Sequence, residues 1–216
     1  MSTVSTAASP SVDLVRRTAF TLFGRFGYDG VSMTHLAREC GLTKPGLYWH
    51  YESKQALYAD CMRDMVGLFE THVFAAALME DAPARQILAA FEGLENPLAD
   101  PCVAHGVAGF WLRPATAPVD EAMTVQRDFE AMARGATAQI LQAAVDDGAL
   151  VLPLSAERVA DAFIAQVEAI VLPLGERSPA DHHALVGLFA HMFFTSYARD
   201  STLVDGLARK LKTGHT

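Results

Sequence analysis

Between Leu36 and Lys54 the chain reads Leu-Ala-Arg-Glu-Cys-Gly-Leu-Thr-Lys-Pro-Gly-Leu-Tyr-Trp-His-Tyr-Glu-Ser-Lys, and this run constrains the fold more than any other. Leu36, Ala37 and Cys40 stand at steps that a helix brings onto one buried face. Gly41 supplies the backbone freedom that a sharp exit from that helix needs. A second helix begins at Thr43 and buries Leu47, which leaves Lys44, Tyr48, Trp49 and His50 on its other faces. Such a surface is unusual for a helix that meets only water. It suits a helix laid in a DNA groove, where donors meet phosphates and base edges and apolar atoms meet thymine methyl groups. The competing reading makes Tyr48 and Trp49 core aromatics of a small three-helix unit, but Leu47 and Tyr51 are better placed to fill such a core.

Helical periodicity continues on both sides. Residues 1–10 are rich in Ser, Thr and Ala, end in Pro10 and read as a flexible arm. Val15, Ala19, Leu22, Phe23 and Phe26 then fall at helical spacing, and Gly27 ends that helix. Ser32 can cap a helix over 33–40, and Ser53 one that runs from Lys54 to about residue 78. Further helices are predicted over 84–94, 102–112, 119–147, 156–172 and 180–199, separated by proline- or glycine-bearing breaks. Val151 to Leu154 could be extended, but Pro153 and the short length favour a loop. The predicted fold is all-α: an arm over 1–10, a helix-turn-helix domain over 11–57, and a helical effector-binding and dimerisation domain over 58–216.

Charge divides the chain in the same place. Residues 1–60 hold six Lys and Arg against five Asp and Glu, whereas residues 61–216 hold eleven against twenty. The net charge of −8 therefore belongs to the second part, which it keeps soluble and away from nucleic acid. A DNA-binding part so near neutrality must draw phosphate contacts from few charges, neutral donors and helix N-termini. Three cysteines, Cys40, Cys61 and Cys102, show no metal-type pairing and read as reduced thiols. The apolar run over 160–172 is broken by Asp161, Gln166 and Glu168, well short of the roughly 18 residues of a membrane span. With no basic-plus-apolar leader at the N-terminus, a cytoplasmic location is expected.

In order and spacing, these residues are similar to a known pattern. Over residues 12–61, the Phe-Gly-Arg-Phe-Gly-Tyr run at 23–28, Leu36-Ala37, Gly41-Leu42, Gly46-Leu47-Tyr48-Trp49-His50-Tyr51 and Lys54 together resemble the TetR family of bacterial one-component transcriptional regulators. The remaining three-quarters resembles the family only in helical architecture and in residues 101–112, which look like its short sixth helix. The resemblance implies that Thr43, Lys44, Pro45 and Gly46 open a recognition helix, with Lys44 donating to guanine O6 and N7. It implies DNA-facing roles for Tyr48, Trp49 and His50, backbone contacts from Ser32 and Thr34, and a phosphate clamp at Lys54, where the helix dipole adds positive charge. Gly46 departs from members that carry a base-reading side chain there, which shifts specificity toward Lys44, Thr34 and shape readout.

The resemblance also implies a dimer that binds a ligand. Leu185, Leu188, Phe189, Met192 and Phe193 are the expected central contacts of a two-fold bundle made by the last two helices. Phe91, His105, Phe110, Trp111 and Met123, with Phe129, Met132, Phe163 and Gln166, form an aromatic and methionine-rich set suited to an apolar or aromatic effector. A solid core, with His105 and Gln166 satisfied by neighbours, is the alternative for each. The helix over 102–112 is expected to shift as a unit against the helix from Lys54 and so respace the recognition helices. No metal or cofactor is expected: His182 and His183 are adjacent and lack supporting ligands. Glu157, Asp161 and Glu168 read as a solvated face, and no phosphate loop, nucleophile elbow or paired-histidine zinc motif suggests an enzyme. The expected partners are double-stranded operator DNA, a small molecule and a second copy of the chain, with no membrane. The alternative function is an all-α ligand-binding or scaffold protein that does not bind DNA.

Overall fold

Glycine and serine mark out the first helices. In the computed structural model, which describes residues 12–95, 102–103, 106–112, 114, 119–172, 178–200, 202 and 204–205, α1 spans Val12–Phe26 and buries Val15, Ala19 and Phe23 along one line. Phe26, expected on that line, is exposed under the Arg25 guanidinium, and Phe20 is buried instead. Helix α2 (Met33–Glu39) is capped by Ser32, whose hydroxyl accepts from the His35 amide at 3.1 Å. It ends at Gly41, where φ is +67° and the Gly41 and Leu42 amides donate back to the Arg38 and Ala37 carbonyls. That pair of bonds satisfies carbonyls the helix leaves open, and it needs the left-handed backbone that glycine adopts without strain. Helix α3 (Lys44–His50) follows after two residues, and α4 (Lys54–Phe69) is capped by Ser53 through the Ala56 amide at 3.0 Å.

The predicted single helix from Lys54 to residue 78 is not uniform. After α4 the chain widens into a π segment, Glu70–Ala75, before a last turn, α5 (Ala76–Leu78). Helix α6 (Pro83–Gly93) presses closest at this segment: a Cβ on Gly93 would lie 2.1 Å from the His72 carbonyl oxygen. Helices α7 (Asp120–Asp146), α8 (Ala156–Val171) and α9 (Pro179–Tyr197) complete the second half. Asp120 and Glu121 in the first turn of α7 oppose its dipole favourably, and Ser178 with Asp181 forms a reciprocal cap on α9. Helix α7 packs on α4, α6 and α8, and α9 packs on α6 and α8, so one continuous core runs from α1 to α9. Among the described residues there is no strand, only a single antiparallel bridge between Leu150 and Ala198. No helix among them is long and apolar enough to cross a membrane.

The predicted helix over 102–112 is corrected. The described part of that segment is a turn and a short 3-10 helix, Ala108–Phe110. Its glycines explain why: Gly106 has φ +100°, outside any helix for an L-residue, and Gly109 is seated on the backbone of α1. A Cβ on Gly109 would lie 2.1 Å from the Phe23 carbonyl oxygen, and one on Gly24 would lie 2.3 Å from that of Gly106. Two backbones thus meet with nothing between them. Phe110 then packs on Phe20 and Tyr58, with ring centroids 5.1 and 5.8 Å apart.

Gly109→Ala should therefore lower stability by about 2–3 kcal/mol in urea unfolding, since backbone atoms on both sides would have to move. Gly135→Ala, on the exposed face of α7 with open space around it, should raise stability by roughly 0.5–1 kcal/mol.

Candidate nucleic-acid interface and inner cavity

Helix α3 buries a single side chain, Leu47, which anchors it in the core beside α2. Most of the rest of α3 faces outward. Lys44, Pro45, Tyr48 and Trp49 are exposed, and Trp49 reaches 85 % exposure. An indole in water is a cost unless something covers it, so the core reading of Trp49 is set aside. Gly46 and His50 are half-buried, with the His50 ring edge-on to Trp49 at 6.1 Å between centroids. Tyr51 turns inward; burial and the nearby Asp60 carboxylate push its phenol far above the ordinary tyrosine value.

Ser32 and Thr43 do two jobs. The Thr43 hydroxyl accepts from the Gly46 amide at 3.2 Å, as Ser32 does for His35, yet each hydroxyl keeps its own hydrogen as a donor toward solvent. A Cβ on Gly46 would press on the Thr43 hydroxyl at 3.2 Å, which gives its missing side chain a local reason. Thr34 is exposed on the first turn of α2. Lys54 is half-buried, its ammonium 3.8 Å from the centre of the Tyr28 ring. Burial pulls that ammonium below the ordinary lysine value, and Asp29 opposes the change. Exposed or half-buried donors thus stand at the start of α2, along α3, which packs on α2, and at the start of α4.

The middle of the second half holds a cavity of about 70 Å³ between α4, the π segment, α6, α7 and α8. Of the residues expected there, Trp111, Phe129 and Phe163 line it. Phe91 lies just behind, 4.8 Å from Phe163 between ring centroids. The others fall elsewhere. Phe110 packs toward α1, Met132 is on the surface of α7, and Met123 is packed against the core away from the cavity. Gln166 is half-buried on the side of α8 that carries the exposed Ala162, Ala165 and Ala169, about 100° around the helix from Val167 in the row that lines the cavity. His105 lies outside the described residues. Sequence reading missed the cavity's polar members, Gln126, Glu130 and Thr137 on α7 and Glu168 on α8. Gln126, Glu130 and Thr137 share the Phe129 side of α7 at helical spacing, a signal present in the sequence. Glu168, expected in a solvated face, is half-buried, whereas Glu157 and Asp161 are exposed. No group of His, Cys, Asp or Glu among the described residues could hold a metal ion.

On α9, Leu185, Leu188, Phe189 and Met192 form one row; Leu188 is 47 % and Met192 51 % exposed. Phe193, expected with them, is corrected: it is buried in its own subunit against Phe91, Phe163 and Tyr197. One residue on from Met192, it lies about 100° around the helix.

Residues 15–61 match the family model described as bacterial regulatory proteins, tetR family. The tetracycline repressor protein class C of Escherichia coli is 35 % identical over 60 residues, covering 28 % of this chain and 27 % of that protein. The IcaR negative transcriptional regulator of the biofilm operon icaADBC of Staphylococcus aureus (strain Newman) is 33 % identical over 51 residues, covering 24 % of this chain and 27 % of that one. The matches thus span about a quarter of the curated relatives. The crystal structure of AibR in complex with isovaleryl coenzyme A and operator DNA shares the fold, with a TM-score of 0.69 at 20 % identity over 84 % of this chain and 96 % of that one.

Truncating side chains of α3 separates anchor from surface. Leu47→Ala should destabilise the protein by about 2–5 kcal/mol, whereas Trp49→Ala should leave the thermal unfolding midpoint nearly unchanged. An equal loss of stability in the two variants would mean that Trp49 is a packing residue.

Proposed function

We propose that this chain, a member of the TetR family through residues 15–61, is a DNA-binding transcriptional regulator that acts as a repressor and is released by a small molecule. One observation carries the reading: α3 buries only Leu47 and presents Lys44, Tyr48 and Trp49 to solvent. In the proposed docking, α3 enters the major groove with Lys44 at base edges, while Tyr48, Trp49 and His50 meet the groove wall and phosphates. The Ser32 and Thr43 hydroxyls, with Thr34, donate to phosphate, and Pro45 and Gly46 allow the helix start to approach closely. Lys54 faces phosphate from the start of α4. The names of the relatives, a repressor and a negative regulator, support repression, and the AibR complex supports the pairing of operator DNA with a small-molecule effector.

We also infer a homodimer, with residues 11–57 as the DNA-binding domain and 58–216 as the effector and dimerisation domain. The α9 row Leu185, Leu188, Phe189 and Met192 and the small outward residues of α8 supply a face whose exposed apolar side chains another copy would cover. Two recognition helices set by that axis read a near-palindromic site with half-sites roughly one helical turn or somewhat more apart. The effector enters the inner cavity, and Trp111, which lines it, lies one residue from the 3-10 turn seated on α1. Movement of Trp111 therefore has a short path to the DNA-binding half.

Binding of the full chain to fragments of its flanking genome tests the reading. Operator affinity should fall with salt at a log–log slope of about −0.9 per phosphate contacted. Lys54→Ala should flatten that slope by about one contact for all sequences, and Lys44→Ala should cost on the order of 1–3 kcal/mol and relax preference at one base position. Salt-independent or absent DNA binding would leave a ligand-binding protein without a DNA role.

A paired substitution tests the assembly. Leu188→Glu with Met192→Glu should convert a dimer to a folded monomer in light scattering at micromolar concentration, with unchanged helical circular dichroism. A wild-type monomer at that concentration would remove this interface.

A further inference from the structure

The inner cavity is almost wholly apolar at its exposed wall. Phe129 holds an aromatic group there, with the Phe69 and Phe74 rings each 6.2 Å from its own between centroids, one tilted and one edge-on. Ala90 and Val167 add aliphatic surface from α6 and α8. Gln126, Glu130, Thr137 and Glu168 also line the cavity, but they meet it almost entirely through carbon. The Gln126 amide is already engaged, donating to the Glu130 carboxylate at 2.9 Å. Among the described residues, no buried side-chain nitrogen or oxygen on this wall lacks a hydrogen-bond partner. Nothing in the wall therefore asks a ligand for a polar atom.

We infer that this cavity selects an uncharged hydrocarbon group, a single ring or a short branched chain, and rejects a polar atom in its place. This rests on reading the cavity as the effector site, and it names the part of the effector that enters. A volume of about 70 Å³ exceeds the roughly 10–15 Å³ that a water molecule needs. A water there would nevertheless find almost none of the roughly 2–4 polar partners that hold one in place. A hydroxyl or amide meets the same wall: it gives up its bonds to water on entry and regains none. A charged centre gives up more. A hydrocarbon gives up nothing of that kind, and it supplies dispersion contacts to side chains that face empty space. A ring would also continue the edge-to-face pattern that Phe129 makes with Phe74.

Size sets the limit. A cavity of about 150 Å³ lined by Leu, Ile and Phe stays dry and takes up benzene. This one is about half as large, so a ring enters only as the wall gives way. The π segment supplies two of the wall residues, Val73 and Phe74, and helix irregularities of this kind recur at functional sites.

Toluene and phenol carry a methyl and a hydroxyl on the same ring, and they make the comparison on the full-length protein. Isothermal titration calorimetry should give toluene at least about tenfold tighter than phenol, with favourable enthalpy and a negative heat-capacity change. Ala90→Leu, which fills the cavity from α6, should abolish toluene binding; Val167→Phe fills it from α8 should the first variant fail to fold. Thr137→Val should leave the toluene-to-phenol ratio unchanged. Phenol bound as tightly as toluene, neither probe bound, or toluene binding that survives a folded filling variant overturns the inference. So does a ratio that rises in Thr137→Val, since the hydroxyl would then be answering phenol from the wall. Should no variant fold, the wild-type comparison decides by itself. Release from operator DNA is measured in parallel. Toluene that binds tenfold tighter yet leaves operator affinity unchanged supports the hydrocarbon class and overturns the effector reading. Release by phenol and not by toluene keeps the effector reading and overturns the class.

Discussion

The bare backbone contact between α1 and the turn at 106–110 holds the two halves of the molecule in one geometry. Gly24 faces Gly106, and Gly109 sits on the Phe23 carbonyl, so peptide groups touch where side chains would separate the elements by several ångströms. Around this contact lies an aromatic cluster: Phe23, Tyr28 and Phe110 enclose Tyr58, whose hydroxyl is buried without a hydrogen-bond partner among the described residues. Burial pushes that phenol far above its ordinary value, so it stays neutral at any physiological pH. An interior of this kind is close-packed and answers displacement by switching as a unit, because no soft side chain absorbs the movement. The orientation of α2 and α3 is thereby tied to the position of a short turn in the second half.

The DNA-facing half was largely legible in the sequence, for reasons that are local. Gly41 must take a positive φ, Ser32, Thr43 and Ser53 must cap, and Leu47 must be buried, and each is decided within four or five residues along the chain. The cavity was only partly legible because its wall is decided by contacts between distant segments. Trp111, Phe129 and Phe163 were recognisable as large apolar residues, but nothing local separates Phe129, inside the cavity, from Met132, one turn on and exposed. Glu168 was read as solvated because charged residues on a helix usually are. Only the packing of α8 on α7 reveals that it is half-buried, with part of its side chain lining the cavity. The turn at 102–112 was misread for a further reason: two glycines in an apolar run look like a tolerated lapse in a helix, yet here both are required by the close approach of α1.

Electrostatics and packing divide their labour along the chain. Residues 1–60 carry almost no net charge, so an interface built on α3 depends on shape, neutral donors and a few well-placed cations. Lys54 illustrates the economy: its ammonium rests over the Tyr28 ring, which limits its rotamers before any phosphate arrives. A cation ordered in advance loses less conformational freedom on binding than a free surface lysine. Residues 61–216 carry the negative charge. That sign repels nucleic acid from the second half and leaves the first to meet it.

Volume constrains the proposed mechanism. A ligand that binds tightly cannot fit in about 70 Å³, so its binding energy is spent partly on moving a wall. The walls differ in how readily they yield. Helices α7 and α8 pack along much of their length, and α6 is fixed against the π segment by the Gly93 contact. Trp111 stands at the end of a three-residue 3-10 turn, followed by an exposed leucine, and is held by far less structure. Displacement is therefore expected to run through Trp111 into Phe110 and Gly109, and from there into α1. Coupling between two sites is typically about 1–3 kcal/mol. A backbone contact that tolerates no Cβ is sensitive on that scale, since overpacking a close contact costs about 1–3 kcal/mol. The seat on α1 is tight enough to transmit a shift and small enough for one bound molecule to disturb.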